Sequence, residues 1–74
     1  MLESTQEILE KLDPLLDAGD MQSAGRLLVE VNMTSLRALL IHVSRERGTS
    51  VADEVGKAYL QEHAAWMLEH KKAS

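Results

Sequence analysis

The chain has 74 residues, no cysteine, and 12 acidic against 8 basic side chains, giving a formal charge of −4. That length makes one domain, burying only about 60% of the surface its unfolded form exposes, and the lack of cysteine excludes disulfides and thiolate metal sites as staples. The acidic balance sets the whole-molecule field against nucleic acid and anionic membrane.

A single core of this size supplies roughly 3–5 kcal/mol, so self-association or a partner is the expected remedy for thin stability. Met1-Leu2-Glu3-Ser4-Thr5-Gln6-Glu7 has neither the basic start nor the apolar run of a signal peptide. The longest apolar run, Ala64 to Leu68, is five residues, against about 20 for a membrane span. A cytoplasmic protein with no membrane contact is expected.

Taken in chain order, the apolar spacing predicts four helices, near 3–18, 20–32, 35–47 and 50–71, or three if residues 20–47 run on. In the first, Ile8, Leu9, Leu12, Leu15 and Leu16 form the inner face, while Glu3, Glu7, Glu10, Asp13 and Asp17 line the other. Pro14 removes a backbone donor and crowds the preceding turn, which predicts a kink or a restart with Asp13 as cap. Ala18-Gly19-Asp20 closes this helix, and Asp20 caps the next. The second carries Met21, Ala24, Leu27, Leu28 and Val31 on one face. The third carries Leu36, Leu39, Leu40 and Val43, with Ile41 off that stripe and Gly48 at its end.

The fourth helix is the most informative. Thr49 or Ser50 caps it, Asp53 and Glu54 sit in its first turn, and His70, Lys71 and Lys72 lie at its other end, an arrangement that suits the helix dipole. Val51, Val55, Ala58, Tyr59 and Trp66 form one apolar stripe; Ala52, Gly56, Leu60 and Met67 form a second beside it. Together they cover roughly 200°, where a surface helix needs about 100°. Such a helix needs neighbours on two sides, from this chain or from a second molecule, and a central position is expected for it. Ala52-xxx-Gly56 lets another backbone come close. Leu68 falls on the polar side with Gln61, Lys57 and Asp53, which hints at a second contact surface.

The middle of the chain admits another reading. Leu28-Val29-Glu30-Val31-Asn32-Met33 alternates, with Val29, Val31 and Met33 on one side of a possible strand. Followed by Leu36, Leu40, Ser44 and Gly48, and then by residues 49–60, it resembles the ribbon-helix-helix regulators over residues 28–60. That resemblance implies a dimeric DNA-binding regulator or antitoxin whose paired strands read the major groove. Its groove-facing positions would be Leu28, Glu30 and Asn32, and a carboxylate there opposes phosphate. The helix at 3–18 is foreign to the minimal family fold. An unbroken helical period from Asp20 to Val31 explains Met21 and Ala24 as well.

Chemistry is sparse. His63 and His70 lie seven residues apart, near Tyr59 and Trp66, with His42 elsewhere; a zinc site needs histidines three or four apart or a completing carboxylate. No metal or cofactor is expected. Without a cysteine nucleophile, a glycine-rich phosphate loop or a nucleophile elbow, no enzyme is expected either. Residues 1–20 carry six acids and one base, a row that either docks a basic partner or is a solvated helix back. Arg26, Arg37, Arg45 and Arg47 answer those acids or, for Arg37 and Arg45 two turns apart, grip an anion. The reading is an all-α bundle, expected to be a homodimer, that works as a protein-protein interaction module: a regulator, inhibitor or phage- or plasmid-type accessory factor. Its contact residues are expected to be Ile41, Tyr59, Trp66 and Leu68, with Glu3, Glu7 and Glu10 on the acidic helix; nucleic acid is not an expected partner.

Overall fold

Local side-chain oxygens and two glycines decide where the helices begin and end. A computed structural model describes the backbone over residues 4–73 and the side chains over 4–70. It contains α1 (Thr5–Asp17), α2 (Met21–Val29), α3 (Met33–Arg47) and α4 (Thr49–Ala73), with no strand among the described residues. Ser4 accepts from the Glu7 amide at 3.2 Å, and the Glu7 carboxylate accepts from the Ser4 amide and hydroxyl, which closes a capping box at the head of α1. Gly19, at φ +74°, turns the chain out of α1. Asp20 then accepts from the Ser23 amide at 3.1 Å to start α2, and Asn32 from the Ser35 amide at 2.9 Å to start α3. Each cap satisfies an amide that the helix itself leaves unpaired.

Several boundaries differ from the sequence expectation, for physical reasons. Pro14 does not restart the helix and Asp13 is not a cap, because α1 is continuous from Thr5 to Asp17. Ile8, Leu12 and Leu16 are buried on both sides of the proline, and that shared burial keeps both halves in one helix. The second helix stops at Val29, not at 32. Its last turn closes with the Val31 amide donating to the Leu28 carbonyl, and Asn32 serves as the cap of α3. Residues 28–33 are therefore a helix end, a turn and a helix start. The strand that a ribbon-helix-helix arrangement requires is not there. At the other junction Gly48 alone, at φ +92°, joins α3 to α4 and accepts from the Ala52 amide at 3.2 Å. Thr49 and Ser50 lie inside α4 instead of capping it. The expected start at Glu3 lies outside the described residues.

The four helices close a ring in which α1 and α4 each pack on both α2 and α3. Leu12, Leu28, Leu39, Val43 and Val55 meet in the middle, and among the described residues no polar or charged side chain is buried. The last helix makes the most extensive contacts in this ring, against α2 and α3. Its first half delivers Val55 and Ala58 to the core, while residues 64–70 are all exposed. Ion pairs tie the ring from outside: Arg47 reaches Asp17 at 2.8 Å and Asp13 at 3.5 Å, joining the end of α3 to α1, and Arg26 reaches Glu62 at 3.0 Å, joining α2 to α4. The hydrogen bond to Asp17 is the main cause of an Arg47 pKa above its ordinary value.

Asp20 gives the fold a defined acid sensitivity. Its carboxyl is held below the usual aspartate value chiefly by the hydrogen bonds from the Ser23 side chain and amide, with help from nearby Arg26. A carboxylate with a lowered folded pKa stabilises fully above its unfolded value, near 3.9, and that contribution fades as pH falls through the folded value. Thermal melts of Asp20→Asn, which keeps a capping oxygen but cannot titrate, are expected to lose less stability than the wild type between pH 4 and the acid limit, in round figures of about 4 downward. Parallel acid limbs for the two proteins would remove Asp20 from this role.

Candidate interaction surface

The close approach of two helices is made by Gly25, a residue the sequence did not single out. A Cβ at this position would stand 2.6 Å from the Ala58 carbonyl carbon and the Tyr59 nitrogen and 2.8 Å from the Ala58 Cβ. Its signal was its place four residues after Met21 and three before Leu28, on the inner face of α2. Gly56, expected to admit a neighbouring backbone, has nothing within 4 Å of where its Cβ would be. Gly56 is therefore a glycine inside a helix with no neighbour in this chain to require it.

The second stripe of α4 shares that vacancy. Ala52 and Gly56 are half-buried, but Leu60 is 63% exposed and Met67 is 54% exposed. The first stripe is covered only as far as Tyr59, which is half-buried and packs against the core. Beyond it Trp66 is 40% exposed. A ladder of rings climbs this edge, Tyr59 to His63 at 5.5 Å, His63 to Trp66 at 6.5 Å and Trp66 to His70 at 3.8 Å between centroids. The last step is locked because His70 Nδ1–H donates to the Trp66 carbonyl at 2.8 Å, which lays the imidazole flat on the indole. His63 and His70 are spent on stacking, and among the described residues no group of three or more histidines and carboxylates is placed to hold a metal ion.

Three of the expected contact residues, Ile41, Tyr59 and Trp66, line three different grooves. Ile41, exposed, lines the outer face of α3 with Met33, Arg37 and Leu40; Tyr59 lines the α3/α4 groove with Leu40, Gly56 and Leu60. Leu40 belongs to both, so Ile41 and Tyr59 lie on adjoining surfaces. Trp66 lines a separate groove between α4 and α2, with Leu27, Val29 and Glu62. Leu68 is exposed and, two residues on, projects to the far side of α4 from Trp66. Glu7 and Glu10 are on α1 and line none of these grooves, Glu7 being engaged with Ser4 at the cap. Glu3 lies outside the described residues. Of the arginines, Arg47 and Arg26 answer acids in the same chain, whereas Arg37 and Arg45 are exposed and flank Ile41 at one-turn spacing. Met33, Leu60 and Met67 are exposed as well; the sequence places Leu60 and Met67 on an apolar stripe and Met33 on one side of a possible strand, where burial is the natural reading.

No protein-family model, curated protein or solved structure matches the chain. The class that fold and surface define is a small all-helical bundle with an apolar core and one helix that outruns it. No helix among the described residues is long and apolar enough to cross a membrane.

Proposed function

We propose that the protein acts by binding another protein, as a small regulator, inhibitor or accessory factor, and that it also associates with itself as a homodimer. The observation that carries this reading is the bare end of α4, where Ala64, Ala65, Trp66, Met67 and Leu68 are exposed in succession. A helix turn that is apolar all round belongs in an interior, and tryptophan is enriched among residues that dominate binding energy. The rest of the molecule leaves this segment exposed, with Trp66 only partly sheltered in its groove beside α2, so a second polypeptide is the natural cover.

The test is the size of the native complex. In extracts of the cells that make it, the protein is expected to sediment as a species larger than its own purified form, and a Trp66→Ala/Leu68→Glu variant is expected to return to the size of that purified form. Both sites are exposed, so this variant keeps its helical content. A wild-type protein whose size in the extract equals that of its purified form contradicts the proposal.

A further inference from the structure

We infer that the vacant stripe of α4 is the self-association surface, covered by α4 of a second copy that crosses it antiparallel on a two-fold axis near Gly56. This deepens the homodimer part of the function proposed above and is independent of the partner held at residues 64–68. Three observations on one stretch of helix point to it. Gly56 sits mid-helix with open space where a Cβ would be, although glycine there costs about 1 kcal/mol relative to alanine. One turn before it is the small Ala52, and one turn after it is Leu60, 63% exposed. The same stretch thus offers a notch and a knob at equal distances from Gly56.

A two-fold axis uses that symmetry. In an isologous contact a residue at one position meets its counterpart reflected about the axis, so Leu60 of each copy sits over Ala52 of the other, and the two Gly56 positions let the backbones approach. Charge supplies the second half of the argument. Asp53 and Lys57 are both exposed, stand one turn apart on the same rim of the stripe and line the same α3/α4 groove as Gly56 and Leu60. In an antiparallel pair related by this axis, like rims face each other, and reflection brings Lys57 of the second copy level with residue 55, two residues or about 3 Å along the helix from Asp53, an offset its long side chain spans, twice over. The outer face of α3 is built the opposite way. Arg37, Ile41 and Arg45 follow at one-turn spacing, so an antiparallel self-contact centred on Ile41 would set arginine against arginine. The charges therefore select α4, and not the equally exposed line on α3, for a second copy.

Sedimentation equilibrium of the purified protein with a charge swap tests this. The wild type is expected to show a reversible monomer-dimer equilibrium. Asp53→Lys and Lys57→Asp are each expected to weaken the dimer by roughly tenfold or more, since each replaces two attractive contacts by two repulsive ones, and Asp53→Lys/Lys57→Asp is expected to restore it. Helical content, read on the same samples, is expected to stay unchanged because both side chains are exposed. A wild type that remains monomeric, or a dimer that neither single swap weakens, or one that the double swap does not restore, overturns the inference. None of these results touches the Trp66→Ala/Leu68→Glu test, which reads the other contact.

Discussion

Gly25→Ala is expected to lower stability by about 1–3 kcal/mol, net of the helix propensity that alanine gains, because the added methyl is forced into a packed contact. The methyl would meet backbone atoms of Ala58 and Tyr59 at 2.6 Å, and backbone of a packed helix cannot swing aside as the end of a long side chain can. Relief requires α2 and α4 to separate, and these two helices share the most extensive contact in the molecule. For a domain with roughly 3–5 kcal/mol in hand, the melting temperature is expected to fall by something on the order of 10 °C. Gly56→Ala is the control with the opposite sign. Nothing lies within 4 Å of its new methyl, so at concentrations where the chain is monomeric it is expected to gain about 0.5–1 kcal/mol from helix propensity. Thermal melts followed by circular dichroism read both. A Gly25→Ala melt as high as that of the wild type would mean that α2 and α4 are not packed as closely as described.

Leu39→Ala is expected to cost about 2–5 kcal/mol, the range for truncating a fully buried leucine, and to leave the domain largely unfolded at 25 °C. Leu39 has no exposed surface and stands in the cluster with Leu12, Leu28, Val43 and Val55. Trp66→Ala, which removes a far larger side chain, is expected to cost only about 1 kcal/mol or less, as surface changes do, because Trp66 is 40% exposed and stacks on His70 of its own helix. Denaturant melts of the two variants are expected to rank them in that order. The reverse order would place Trp66 in the core and remove the surface on which the functional reading stands.

The sequence made legible what local chemistry decides. Gly19, Asp20 and Gly48 sit at helix junctions as their backbone freedom and capping oxygen predict, and Ile8, Leu12 and Leu16 are buried as their spacing requires. Ile41 and Leu68 fall off the apolar stripes of their helices, and both are exposed. Pro14 was misread because its penalty is local whereas the burial that outweighs it spans the whole of α1. Gly56, and not Gly25, draws the close-approach reading from the sequence for a related reason: each lies mid-helix among apolar residues, and only the placement of α2 against α4 shows which one faces a neighbour. The double stripe of α4 announced two contacts, but periodicity is blind to which contact lies within the chain. One stripe is covered as far as Tyr59; of the other, Ala52 packs against the core, whereas Leu60 and Met67 are exposed. The acidic row is divided in a way that spacing does not reveal, with Asp13 and Asp17 taken by Arg47 and Glu7 by the helix cap.

Site-specific photo-cross-linking in the native cell tests the central claim most directly. A photoreactive residue in place of Leu68, at the bare end of α4, is expected to give a discrete adduct with another polypeptide, while the same group in place of Glu10 on α1 gives none. Leu68 yielding no protein adduct, or an adduct pattern identical to that from Glu10, would contradict the assignment of α4 as the surface through which this protein works.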